Sequence, residues 1–197
     1  LQRNQPISVY GTANGGDAIE VTFKQQKKTA ITSQYGKWKI TFPATIQGGP
    51  YEMTIQSKET KIVLKNILIG DVWFSSGQSN MAFPLQSSEN GSAEVKKAIA
   101  NTTIRLFNAK TLRDTDETAW DSLTLVKTNQ LQFFSGSWSV CDSTNAKDFS
   151  AIAYYFGKKI AHEENVPVGL IQVAVGGSPI ESWIDRYTLE HDDKVVD

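Results

Sequence analysis

Apolar and polar residues alternate through the first third of the chain. Ile19, Val21 and Phe23 are separated by polar residues, and so are Trp38, Ile40 and Phe42. Tyr51, Met53 and Ile55 repeat the spacing, and Ile62 and Leu64 add a short fourth segment. Successive side chains on a strand point to opposite faces, so a period of two predicts half-buried strands. Asn14-Gly15-Gly16-Asp17, Tyr35-Gly36 and Gln47-Gly48-Gly49-Pro50 separate these segments and predict turns. Short strands at this spacing predict a small antiparallel β-sandwich domain over residues 1–66. Trp38 and Tyr51 invite a sugar-stacking reading, but they share the phase of Ile40, Phe42, Met53 and Ile55, which favours a place in the core. The segment holds neither of the two histidines, so no catalysis is assigned to it.

The pattern changes at Ile67. Ile67 to Phe74 is an apolar run, predicted as one buried strand, and it breaks into Ser75-Ser76-Gly77-Gln78-Ser79-Asn80. Open α/β sheets bind ligands beyond the carboxyl ends of their strands. Gly77 permits a sharp turn with Ser79 on its crest, as a nucleophile or as an ordinary helix cap. Ser92–Ala100 is a short amphipathic helix candidate, and Ile104–Phe107 a second strand. Residues 109–148 are polar and irregular, with Trp120 and Trp138 as anchors, which predicts a functional loop or an insertion. Ile152, Tyr155, Phe156 and Ile160 fall at helical spacing behind Ser150, a candidate N-cap, and the helix should end near Asn165. Val168–Val175 is then a third buried strand, reached by a parallel crossover.

That third strand runs into Gly176-Gly177-Ser178-Pro179-Ile180-Glu181. Ser178 and Glu181 have the spacing of a capping box, and Pro179 suits a first helical turn. The two glycines make either a plain connector or a site for an anion such as the oxyanion of acyl transfer. Parallel strands deliver their carboxyl ends to one edge of a sheet. Ser79 and Gly176-Gly177 are therefore expected to share a crevice, with Gln78 and Asn80 beside them as candidate substrate contacts.

Composition narrows the partners. A net charge of −1 over 197 residues argues against a nucleic-acid or anionic-membrane partner. The cluster Lys24–Lys28 reads as a solvated hairpin tip. No apolar run has the length of a membrane span. Cys141 is the only cysteine, so no intrachain disulfide or Cys-based metal site can form, and it is expected as a small buried hydrophobe. Asn90-Gly91-Ser92 and Asn101-Thr102-Thr103 fit the glycosylation sequon. The numbering opens on Leu1, not Met, which fits removal of an N-terminal signal and a secreted, periplasmic or lysosomal location.

GDVWFSSGQSNM, followed about a hundred residues later by VPVGLIQVAVGGSPIESW, resembles the sialate O-acetylesterase family of carbohydrate esterases, in the SGNH-hydrolase superfamily. GGPYEMTI, IRLFN and FSAIAYYFGKKI resemble the same family, so the similarity runs from about Gly36 to Trp183. The resemblance implies a flavodoxin-like α/β/α domain, here residues 67–197, behind a small β-domain. It implies Ser79 as nucleophile, with the N–H of Ser79 and of Gly177, or Gly176, as the oxyanion hole. The implied reaction removes O-acetyl groups from sialic acid or another acetylated sugar, with no metal or organic cofactor. Acetylxylan and other plant-glycan esterases share similar strings, and a non-catalytic carbohydrate-binding fragment is the reading from a different class.

One departure from the family matters. Its Gln-Gly-Glu-type segment and its Asp-x-x-His are absent here; His191 has Thr188 three residues before it, and His162 falls within the predicted helix. A serine hydroxyl needs an adjacent base to attack at neutral pH. The chain is therefore expected to be the N-terminal portion of a longer enzyme, inactive alone, with the rest as a possible partner chain.

Overall fold

The computed structural model describes residues 1–112 and 119–191. It is a mixed α/β chain with several sheets. The chain divides into two units, Leu1–Val72 with Ala161–Gly169, and Trp73–Ile160 with Leu170 onward.

Six strands build the first unit: β1 (Ile7–Thr12), β2 (Ala18–Phe23), β3 (Gln26–Ile31), β4 (Lys37–Phe42), β5 (Gly48–Gln56) and β6 (Lys61–Ile69). β1 pairs antiparallel with β4, and the other four form an antiparallel sheet in the order β3-β2-β5-β6. Most of the alternating residues read from the sequence meet in one core, where Ile19, Val21, Phe23, Trp38, Ile40, Phe42 and Met53 join Ile7 and Ile69, but Ile62 and Leu64 lie outside it, 49% and 43% exposed on β6. Phe23 packs edge-on against Phe42 at 5.8 Å and against Tyr51 at 6.0 Å between ring centres, a favoured aromatic geometry. Trp38 is 8% exposed and Tyr51 lines the same core, so both aromatics serve packing.

The structure differs from the sequence reading at three further places. β3 (Gln26-Lys27-Lys28-Thr29-Ala30-Ile31) has no alternation to read, because none of its side chains is fully buried. Gly48 to Pro50 is not a turn but the start of β5, where register shifts mark an irregularity against β6. The run Ile67–Phe74 is two strands rather than one, because β6 ends at Ile69 and the next strand, β7 (Asp71–Gly77), begins after Gly70. A Cβ at Gly70 would lie 1.8 Å from the Pro167 carbonyl oxygen, so only glycine fits the break. Asp71 follows it, donating its N–H to that oxygen at 2.9 Å and pairing through its carboxylate with Arg3 at 2.8 Å.

The remaining elements, in order, are α1 (Ser79–Ala82), α2 (Gly91–Lys97), β8 (Ile104–Asn108), β9 (Lys110–Thr111), α3 (Ser122–Asn129), β10 (Phe134–Ser135), β11 (Trp138–Val140), α4 (Ser143–Ala146), α5 (Ala151–Glu163), β12 (Val168–Ala174) and α6 (Arg186–His191). Four strands form one sheet in the order β11-β8-β12-β7. Asp71 bonds to Pro167 at one end of the β7–β12 pair and Val175 to Gly77 at the other. The residue numbers rise together, so β7 and β12 run parallel. β11 is antiparallel to β8, a fourth strand that the expectation of three parallel strands missed.

The described residues of 109–148, which exclude 113–118, hold more structure than their polarity suggested. Asp121 caps α3 by accepting the Thr124 N–H at 2.8 Å, and Asp142 caps α4 by accepting that of Asn145 at 2.8 Å. Leu123, Leu125 and Val126 of α3 face solvent, which explains why no apolar stripe announced it. Trp120 stacks on Phe133 at 5.6 Å, and Trp138 meets Phe107 edge-on at 5.5 Å while staying 49% exposed.

α5 sits where the periodicity placed it, with Ser150 accepting the Ala153 N–H at 3.2 Å. Its fully buried face is made of Ala151, Ala153, Tyr154 and Gly157 instead of its larger apolar residues. Ile152 and Phe156 are 53% and 40% exposed. Close approach to the sheet explains the choice: a Cβ at Gly157 would lie 2.6 Å from a Leu170 methyl. On the side facing α2, Tyr154 donates its hydroxyl to Glu94 at 3.2 Å, Asn101 donates to the Tyr154 oxygen at 2.9 Å, and Lys158 pairs with Glu94. Burial opposes ionisation of Glu94, but the Lys158 and Tyr154 contacts outweigh it and hold the carboxyl below its ordinary range.

Candidate active site

The turn that follows β7 depends on Gly77. Its φ of +151° lies where side-chain-bearing residues are rarely found. The chain then enters α1 directly, leaving Gln78, Ser79 and Asn80 exposed. Gln78 occupies the capping position, without a side-chain capping bond. Ser79 is thus the first helical residue and not the cap. Among the described residues its hydroxyl makes no hydrogen bond.

Polar side chains support α1 from inside the same unit. Ser150 donates its hydroxyl to the Met81 sulfur at 3.3 Å and its N–H to the Gln172 side-chain oxygen at 2.6 Å. Ser150 and Gln172 are both buried. Ser150 is legible in the sequence as a cap, whereas Gln172 is not marked there as part of the site. The available signal was a lone amide within the otherwise apolar strand Val168–Val175.

The second turn lies against the first. Val175 donates its N–H to the Gly77 carbonyl at 3.0 Å. A Cβ added at Gly176 would come within 4.0 Å of the Ser79 Cβ. Gly177 has a φ of +76°, the left-handed conformation that favours glycine, and among the described residues its N–H has no protein acceptor. The exposed Ser79 hydroxyl and the two-glycine turn are therefore neighbours. That arrangement suits attack on a carbonyl whose oxygen becomes negative.

The capping box expected at Ser178 and Glu181 is not formed. Residues Ile180–Trp183 make a short 3-10 turn that begins behind Pro179, with no side-chain capping bond. Ser178 is buried, donates its hydroxyl to the Val175 carbonyl at 2.8 Å, and accepts from the Trp183 indole N–H at 2.9 Å. The Gln78 side-chain amide donates to the Ser178 carbonyl. Both histidines are exposed, His162 on α5 and His191 stacked on Tyr187 with ring centres 4.1 Å apart. Neither is hydrogen-bonded to Ser79.

The family profile described as carbohydrate esterase, sialic acid-specific acetylesterase, matches residues 69–195. The sialate O-acetylesterase of Rattus norvegicus is 26% identical over 197 residues, an alignment covering 92% of this chain and 34% of that protein. The Homo sapiens enzyme of the same name is 28% identical, with 92% of this chain and 36% of that protein covered. A crystal structure of a carbohydrate acetylesterase from Xanthomonas citri superimposes with a TM-score of 0.82 at 30% identity, covering 98% of this chain and 41% of that one. The chain spans about a third of the length of the curated relatives it matches.

Proposed function

The chain belongs to the sialic acid-specific acetylesterase family of carbohydrate esterases, and from that membership we propose that it is the nucleophile-bearing part of a serine esterase removing O-acetyl groups from sialic acid or a related sugar. The observation that carries the reading is the exposed Ser79 hydroxyl set against the Gly176-Gly177 turn. Ser79 Oγ attacks the acetyl carbonyl, and the Ser79 and Gly177 N–H groups, with Gly176 as the alternative donor, hold the developing oxyanion. The serine proton passes to a histidine outside this sequence, held by its aspartate, and then to the departing sugar oxygen. Water attacks the acetyl-serine by the reverse proton path and releases acetate.

Asn80 faces the sugar in this reading, whereas the Gln78 side-chain nitrogen is given to the Ser178 carbonyl. Residues 67–197 are read as the first part of an SGNH-type, flavodoxin-like catalytic domain, and residues 1–66 as a small β-sandwich domain that packs and does not catalyse. The segment carrying the base covers the apolar surface left on the second unit by Trp73 and Phe156. Location is outside the cytoplasm, where acetylated glycans are met.

The test is acetate release by the chain together with its base-bearing segment, from acetylated sialic acid and from acetylated xylan. Preference for the sialic acid supports the reading, and preference for xylan moves the substrate to plant glycans. Ser79→Ala is expected to lower turnover by roughly 10⁴-fold or more. Sugar binding without turnover or labelling of Ser79 by an organophosphate reagent would leave a binding protein.

A further inference from the structure

The two strings that carry the family likeness are joined by side chains as well as by neighbouring strands. Gln78 stands immediately before the proposed nucleophile, and Ser178 immediately after the glycine pair. The Gln78 amide N–H donates to the Ser178 carbonyl, a bond between residues 100 positions apart. From the other side, the Trp183 indole N–H donates to the Ser178 hydroxyl at 2.9 Å, and that hydroxyl donates to the Val175 carbonyl at 2.8 Å. Ser178 is thus fixed through its carbonyl and its hydroxyl, and it is 3% exposed although its neighbours Gly177 and Pro179 are open to solvent.

The geometry points to a clasp, made by Gln78, Ser178 and Trp183, that positions the glycine turn for catalysis. We propose that Gln78 and Trp183 are positioning residues for the oxyanion hole. This rests on the acyl-transfer reading of Ser79. Two glycines in succession have wide conformational freedom, and Gly177 occupies a backbone region that any loosening would let it leave. An oxyanion donor works only if it is already aimed at the developing charge. Ser178 is the first residue after the pair with a side chain, so holding it holds Gly177. Gln78 makes the hold specific to the nucleophile, because the same residue precedes Ser79 on its turn. The bonds act on the turn and not on the substrate, so their loss should appear in kcat and leave KM nearly unchanged.

The experiment compares three variants of the complete enzyme, the chain together with the segment that supplies its base. Gln78→Glu places a carboxylate against the Ser178 carbonyl, where it cannot donate. Its kcat at pH 8 is expected to fall about 100-fold, with KM within about twofold of wild type. A carboxyl beside a carbonyl oxygen has its pKa raised, and once protonated it donates again. The ratio of variant to wild-type kcat should therefore climb as pH is lowered from 8 to 5; taking the ratio cancels titration of the shared histidine. Trp183→Phe keeps an aromatic ring but removes the donor, and is expected to lower kcat about tenfold at every pH, a loss that also decides the matter if Gln78→Glu does not fold.

A kcat at the wild-type level in both variants, with Ser79→Ala inactive, would overturn the clasp alone. So would a loss in Gln78→Glu seen only in KM and flat with pH, which would make Gln78 a substrate contact. Turnover by Ser79→Ala would overturn the nucleophile assignment and the clasp with it.

Discussion

Two residues show how single positions are constrained. Gly70 and Gly157 both refuse a side chain, but for unequal reasons. An added Cβ at Gly70 meets the Pro167 backbone oxygen at 1.8 Å, and a carbonyl cannot step aside. At Gly157 the obstacle is the end of the Leu170 side chain at 2.6 Å, which is fully buried but has other rotamers. Gly157→Ala should cost about 1–3 kcal/mol, and Gly70→Ala clearly more, as measured by urea unfolding. The sequence predicts Cys141 as a small buried hydrophobe, and the structure agrees. The residue is buried, and burial first, with the nearby Asp142 charge second, pushes its thiol up to about 11. At pH 8 its alkylation in the native protein should be on the order of a hundredfold slower than in the denatured chain. Of the two sequons, Asn101 has its amide engaged by Tyr154, whereas Asn90 is exposed. Only Asn90 is open to a glycan.

At the scale of elements, Glu94 links α2 to α5. Its carboxyl ionises more readily in the folded chain than in the unfolded one, where the ordinary value is about 4.3. A depressed folded pKa gives stability that is present above the unfolded value and is lost as pH falls through the folded one. The urea midpoint of the wild type should therefore fall more steeply below about pH 4.3 than that of Glu94→Gln.

Strands and helices were legible wherever burial wrote a period into the sequence. β2, β4 and the middle of β5 alternate because one face of each fills the core. α3 and β3 were not legible because their apolar or polar residues face solvent and carry no period. α5 was legible in position and misleading in orientation, since its closest face, Tyr154 apart, uses small residues that hydrophobicity undervalues. At the site, Ser79 and the glycine pair stood out because they interrupt apolar strands. Gln172 and the Trp183–Ser178 bond did not, because hydrogen bonds between distant residues have no local pattern.

At the scale of the whole molecule, apolar surface remains uncovered. Trp73 meets Phe156 edge-on at 5.0 Å, and both residues stay about two-fifths exposed, while Phe74 is 65% exposed. With a net charge of only −1 there is little repulsion to keep copies apart. Light scattering should show self-association of the isolated chain that persists at 0.5 M salt, since apolar contact is not screened, and Phe156→Lys should reduce it.

β7, the strand that ends in the Ser79 turn, is the last strand of its sheet among those described. The backbone that presents the nucleophile thus keeps one side open to pairing. A split-reporter design follows directly. If the histidine-bearing segment adds a strand alongside β7, two polypeptides that are each silent should hydrolyse a chromogenic acetate when mixed. Colour would then count assembled pairs, and its dependence on concentration would give their dissociation constant.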